Sequence, residues 1–356
     1  MRSWLVALLA VMLLSARAAP GQATPQSRSY RMGFSLVGPR FDVPTFLKTI
    51  EEWSRHGDAA IQQQDVPWRV LLSGGDAETW VNANVVPLMN RYRSHGFMVV
   101  CTLDLGNGID RTQEAKELVE MKRSIAEPEV QKAFVDFAAA YAKIVKPEYL
   151  GLGSELNLLR DHLPDKTNDA MVAMCAEAAK RVKQVSPETI LYVSVQAEWA
   201  WGRLGGVGGD YKGCEEIFKD FPFIQALGVS SYPAFGWGDP KQLPIDYFRR
   251  LLGGRSLPVL MVEGGWPSTD VPGAKSDQDK EARWLKRLFA ILDDCHASFV
   301  GLLMYTDLDL PHIPELKGTI MPMFATMGLV DIDYKPKPAM AIWDEAFRRP
   351  WVRVKD

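Results

Sequence analysis

Pro258-Val-Leu-Met-Val-Glu263-Gly-Gly-Trp266-Pro-Ser268 holds a short apolar run that starts after a proline and is cut off by an acid and two glycines. A run this short, apolar on both faces and bounded by breakers, suits a strand of a parallel sheet that is covered on both sides. The same design occurs upstream in Tyr149-Leu-Gly-Leu-Gly-Ser-Glu155-Leu-Asn157, where a second glutamate ends the run. Working outward from strands at 149–153 and 258–262, similar runs lie at 32–36, 59–63, 97–103, 190–196, 227–231 and 299–304. Between them, apolar residues recur at helical spacing over 46–55, 81–94, 130–145, 169–185, 278–293 and 338–347.

Strands alternating with helices predict a parallel sheet with right-handed crossovers. Eight such units suit a closed (β/α)8 TIM barrel better than an open doubly wound sheet. The connections agree with a barrel. Segments leading into strands are short and carry helix stops such as His56-Gly57 and His95-Gly96. Segments leaving strands are long, at 104–124, 157–167, 197–213, 233–243, 264–276 and 305–333, and rich in aromatics. Long loops at the C-terminal strand ends are where barrel enzymes build their sites. No linker or internal repeat interrupts 30–350, which reads as one domain.

The first 18 residues have the parts of a secretory signal: Arg2, an apolar run from Trp4 to Leu14, and Ala16-Arg17-Ala18 at a cleavage position. Residues 19–29 then form an N-terminal extension, and the expected location is secreted or periplasmic. The apolar run is too short to span a membrane, and no later stretch is long enough. After cleavage no membrane attachment is expected, and the chain is expected to be a monomer. Export permits disulfides. The four cysteines, Cys101, Cys175, Cys214 and Cys295, allow three pairings. Cys101 and Cys295 sit in or beside strands as candidate buried thiols, and Cys175 with Cys214 is the candidate pair. With 47% hydrophobic and 24% charged residues and a net charge of −3, the composition is that of a globular protein without a basic surface for nucleic acid. No P-loop, dinucleotide fingerprint or zinc-spaced Cys/His cluster occurs, so no cofactor and no metal are expected.

In a closed barrel, strands four and seven face each other across the mouth, so Glu155 and Glu263 converge there. Glycoside hydrolysis needs such a pair: one carboxylic acid protonates the leaving oxygen, and a second carboxylate attacks carbon or activates water. Gln63, Asp104, Gln196 and Asp307 also fall at or near strand tips, as polar groups of the site or as cap and turn residues. Gln63 and Gln196 are the preferred sugar ligands, since amides suit neutral hydroxyls. Trp199, Trp201, Phe235, Trp237 and Trp266 could stack on sugar faces or pack under loops. His56, His95 and His296 precede strands, where helix-end capping is the expected role. His162 and His312 have no ligand-spaced partner.

The combination resembles the large clan of retaining (β/α)8 glycoside hydrolases with an acid/base on strand four and a nucleophile on strand seven. Gly153-Ser-Glu155-Leu-Asn157 resembles the corresponding segment of arabinogalactan endo-β-1,4-galactanases. Val262-Glu263-Gly-Gly-Trp266-Pro-Ser268 resembles both those enzymes and plant-type endo-1,3-β-glucanases. Ser230-Ser-Tyr232-Pro233 and Gly328-Leu-Val-Asp331 followed by Lys335-Pro-Lys-Pro338-Ala339 resemble further segments of the clan. The resemblance covers roughly 30–347 and implies Glu155 as acid/base, Glu263 as nucleophile and Tyr232 as a hydrogen-bond donor to Glu263. It implies a carbohydrate substrate touched by Ser154, Asn157, Tyr232, Trp266, Gln63, Gln196 and Trp199. One departure stands out: the clan usually has Asn before its acid/base, where its amide binds a sugar hydroxyl, and this chain has Ser154. The expected activity is retaining β-glycoside hydrolysis of a plant-type or microbial polysaccharide or oligosaccharide, with β-1,4-galactan first. The alternatives are an endo-β-glucanase-like hydrolase and, because of Ser154, a non-catalytic carbohydrate-binding barrel.

Overall fold

Ala59, Ile61, Val100, Tyr192, Leu260, Val262 and Phe299 form one fully buried cluster. They come from alternate positions of several strands and plug the inside of a closed sheet, as barrel interiors require. The computed structural model describes residues 26–35, 37–206 and 208–353. Its strands are β1 (Arg31–Ser35), β2 (Ala59–Asp65), β3 (Met98–Asp104), β4 (Tyr149–Gly151), β5 (Ile190–Gln196), β6 (Ala226–Ser231), β7 (Val259–Gly264) and β8 (Phe299–Leu302). Each pairs in parallel with the next, and β8 returns to β1 with Arg31 opposite Phe299, closing a single (β/α)8 barrel.

The other strand face meets the helices. Phe34 of β1 packs 4.8 Å from Trp343 of the helix Pro338–Phe347 and 5.8 Å from Trp53 of the helix Val43–Trp53, measured between ring centres. Burying such a side chain contributes about 1.5–3 kcal/mol, so this outer layer carries much of the fold's stability. Asp42 caps the N-terminus of Val43–Trp53, accepting from the Thr45 amide at 2.9 Å.

Several expectations shift at their edges. The helix expected over 81–94 is two, Ala77–Asn84 and Val86–Ser94, because Pro87 has no amide hydrogen to continue the first. Between β6 and β7 the chain forms only 3-10 turns, at Pro233–Phe235, Pro240–Gln242 and Arg249–Leu252, broken by the prolines and by Gly253-Gly254. β8 is two residues shorter than expected. Leu36, the expected end of the first strand, and the signal segment 1–18 lie outside the described residues.

The candidate Cys175–Cys214 disulfide is not formed, and all four cysteines are free. Cys175 lies in the helix Asp165–Val185 and donates to the Leu152 carbonyl at 3.3 Å, while Cys214 is packed at the start of the helix Glu215–Asp220. Among the described residues, no helix is long and apolar enough to cross a membrane.

Candidate active site

Strict alternation along β7 would turn Glu263 toward the helices, because Leu260 and Val262 already face inward. A bulge prevents this. Val229 of β6 pairs with Met261, but the next residue, Ser230, pairs with Glu263, so β7 carries one extra residue. Bulges re-aim side chains in this way, and here the outcome is an acid at the barrel mouth. Gly264 makes the bulge possible: a Cβ there would lie 2.3 Å from the Ser231 carbonyl oxygen. Both oxygens of Glu263 are held. The Tyr232 hydroxyl donates to Oε1 at 2.5 Å, and the Gln63 amide donates to Oε2. Burial, and then the charge of Glu263, push the Tyr232 phenol far above its ordinary range, so it stays a neutral donor.

Glu155 arrives by a different route. β4 stops at Gly151, and the chain turns through Gly153, whose φ of +144° is open to glycine and where a Cβ would strike Leu156. Glu155 itself sits in the left-handed region, at φ 50° and ψ 41°, just before the short helix Leu156–Arg160. A non-glycine residue held there costs about 1–3 kcal/mol and persists only where its surroundings fix it. One such fixing contact is the Glu155 backbone N–H, which donates to Ser194 Oγ at 2.9 Å. Only 6% of Glu155 and 9% of Glu263 is exposed.

The two acids experience unequal surroundings. Burial raises the Glu155 carboxyl to about 7; Arg111 opposes that rise and the neighbouring charge of Glu263 adds to it. Near neutrality Glu155 is therefore poised between acid and base. Arg111 itself was not singled out in the sequence. It lies on the loop after β3, 14% exposed, bonded to Asp104, with Nε 3.5 Å from Glu155 Oε2. A lone arginine in a loop of turn residues gives no periodic signal, and its proximity to Glu155 exists only in three dimensions. Asp65, at the end of β2, adds a further acid, raised by burial and by the charge of Asp104.

Several expected sugar ligands are already engaged. The Asn157 amide donates to the Gln196 carbonyl at 3.0 Å and accepts from the Gln196 amide nitrogen at 2.8 Å, tying Leu156–Arg160 to β5. The Gln196 side chain caps the helix Ala197–Ala200 at Trp199 N, 2.6 Å, and donates to Glu198 at 2.5 Å. Ser154 is buried beside Ser194, with 3.5 Å between hydroxyls. Trp266, proposed above to meet the sugar, is 1% exposed, with its Nε1 on Ser276 and its ring against Trp284. Its ring is thus packed beneath the loop after β7, so it supports the site from below rather than facing it. Trp199 lies on the rim with Lys212 Nζ 3.3 Å over its ring, and Nε1 bonded to Asp161. Asp307 is turned away to Lys337, 2.6 Å.

A third buried acid, Glu198, was also missed in the sequence. It is fully buried behind the mouth and accepts from Tyr247 at 2.7 Å and Ser231 at 2.8 Å. It follows β5 by two residues, and the register gave no reason to prefer it over a solvated loop acid.

No family model matches the chain, and no curated protein matches it. Solved structures do match. The exo-β-1,4-mannosidase Op5Man5 from Opitutaceae bacterium strain TAV5 is similar over 93% of this chain, with TM-score 0.65 and 16% identity. This chain spans only 62% of that protein's length. Xylanase 10B from Thermotoga maritima is similar over 89% of this chain and 94% of its own (TM-score 0.63, 14% identity). The GH53 catalytic domain from Ignisphaera aggregans is similar over 94% and 98% (TM-score 0.60, 15% identity). At these identities the likeness establishes the fold, a (β/α)8 barrel of the kind that these glycoside hydrolases share.

Proposed function

We propose that the chain is an exported retaining β-glycoside hydrolase, with Glu263 as nucleophile and Glu155 as general acid/base. The observation that carries this reading is the split between the two acids. Glu263 has each oxygen on a hydrogen-bond donor, an arrangement that suits a carboxylate, whereas burial keeps Glu155 near the point of proton exchange at pH 7. Carboxyl pairs with diverging environments mark acid and base roles. In the first step a Glu263 oxygen attacks the anomeric carbon, the glycosidic C–O bond breaks, and Glu155 gives its proton to the leaving oxygen. In the second, Glu155 takes a proton from water as that water attacks the same carbon and releases Glu263. The similarity to a mannosidase, a xylanase and a GH53 domain supports a β-linked sugar. β-1,4-Galactan is the first substrate to test, and β-glucan the second.

Glu263→Ala should lower turnover of an activated aryl β-glycoside by at least about a thousandfold, since a covalent step is removed. NMR of the first-formed anomer reads the stereochemistry, and initial inversion would rule out the double displacement. Ser154 motivates a second reading, a carbohydrate-binding barrel without turnover. Sugar binding by calorimetry with no product across a polysaccharide panel would favour it.

A further inference from the structure

Resting on the assignment of Glu155 as acid/base, we propose that Arg111 is a positioning residue, clamped by Asp104 so that its charge sets how readily Glu155 releases its proton.

The clamp is built into the chain. Asp104 occupies the last inward position of β3, accepts from the Gly106 amide at 3.1 Å and bonds the Arg111 guanidinium. The loop between them is fixed by its own turns. Asn107 Oδ1 accepts from the Ile109 and Asp110 amides at 2.9 and 3.1 Å, and Asp110 holds Thr112. Gly106 pairs with Glu114 to close the loop's base. Arg111 is thus a cation delivered at a defined place. Its Nε lies 3.5 Å from Glu155 Oε2, within ion-pair range but beyond a good hydrogen bond. The charge acts on Glu155 without a short hydrogen bond tying that carboxyl to the guanidinium.

The charged groups around Glu155 can be named. Arg111 faces it from the loop after β3, Glu263 from β7, Glu198 from the helix after β5 and the neutral Tyr232 phenol from the end of β6. Arg111 is in turn faced by Asp104, Glu155 and Glu263, with Asp65 of β2 behind it. Arg111 is the one cation in this set. In the first step of the proposed reaction, negative charge leaves Glu263 as its oxygen bonds to carbon, and appears on Glu155 as its proton departs. The pair carries one net negative charge before and after, and that charge moves onto the carboxyl 3.5 Å from Arg111. A fixed cation there favours the transfer without being consumed. Asp104 matters as much: with its partner removed, Arg111 would hold Glu155 ionised before substrate arrives, and the acid would be spent.

The two substitutions therefore push in opposite directions. A ¹³C NMR titration of carboxyl-labelled glutamate in the full chain, with Glu155 assigned from the signal lost in Glu155→Gln, reads the effect directly. Arg111→Gln should raise the Glu155 midpoint by about one pH unit or more, the size of an opposite charge at this range. Asp104→Asn should lower it, and Arg111→Lys should stay near wild type. In an active enzyme the alkaline limb of kcat/KM should follow the same order. An unmoved midpoint in Arg111→Gln, or the same direction of shift for Arg111→Gln and Asp104→Asn, overturns the proposal. If Arg111→Gln does not fold, Asp104→Asn decides alone, with a downward shift supporting it and no shift refuting it. The titration needs no turnover. A chain that cleaves no glycoside ends the hydrolase reading, whereas unmoved midpoints in a chain that does cleave end only this one.

Discussion

Tyr232 shows how much of the chemistry rests on single contacts. Its hydroxyl reaches Glu263 Oε1 at 2.5 Å, and its ring meets Phe324 edge-on at 4.8 Å between centres. The ring is thus positioned by packing, and only the hydroxyl serves the acid. Tyr232→Phe should leave the packing intact while removing one of the two donors on Glu263. A hydrogen bond to a charged group is worth about 1.5–3 kcal/mol, so kcat/KM should fall by roughly 10- to 100-fold. The melting temperature should change little. Steady-state kinetics beside a thermal melt check this. A large loss of stability with unchanged kinetics would mean that the phenol is structural. The two glutamates were legible in the sequence because each ends an apolar run, whereas Tyr232 was legible only through the family resemblance of its Ser-Ser-Tyr-Pro segment. Arg111 and Glu198 were not legible: Arg111 lies in a loop and Glu198 in a single-turn helix just past β5, where charged residues are ordinary and only tertiary contact distinguishes them.

The element that decides the site is β7, through its bulge. Strand parity read from the sequence cannot reveal it, because Val259 to Glu263 read as one uninterrupted strand, and the extra residue appears only when β7 is laid against β6. The run of strands was nevertheless legible, because buried parallel strands are short apolar runs with breakers on both sides. What blurred were the helices: Pro87 split one, and the proline-rich β6–β7 connection, where no helical spacing was read, forms 3-10 turns. Gly264 is the testable hinge of this element. Gly264→Ala would put a methyl 2.3 Å from the Ser231 carbonyl oxygen and 2.4 Å from Met261 Cε, so β6 and β7 must separate. We expect a loss of about 1–3 kcal/mol or more, the range of a forced overpacking, with loss of turnover. Gly108→Ala, where a Cβ meets nothing within 4 Å, should stay within about 0.5 kcal/mol. Urea unfolding of the two variants decides it, and equal midpoints would remove the close-approach account of the bulge.

At the scale of the whole molecule, three buried acids give the fold a common pH dependence. Burial raises Glu281 to about 8 and Asp307 to about 6, both opposed by Lys337, and raises Glu155 to about 7. Glu281 and Lys337 lie behind the β7–β8 loops, 1% and 4% exposed, with Nζ 3.8 Å from Oε1. Both Glu281 oxygens lack a hydrogen-bond partner within the described residues, whereas Lys337 has Asp307 at 2.6 Å and Ser268 at 2.8 Å. The sign follows from proton counting. The ordinary values are 4.5 for glutamate and 3.8 for aspartate, so the unfolded chain loses these protons first as pH rises. Between about pH 4 and 8 the folded state therefore binds more protons, and stability declines as pH rises. Much of the decline should come from Glu281, the most buried of the three with no donor to favour its charge. Glu281→Gln keeps the shape and removes the titration, and Lys337 retains Asp307. Urea unfolding at pH 5 and pH 8 should show wild type losing stability on the order of 1 kcal/mol or more between them. The variant should lose distinctly less, and match or exceed wild type at pH 8. Equal losses in the two proteins would mean that Glu281 is ionised in the fold and paired with Lys337, so that the decline must come from elsewhere.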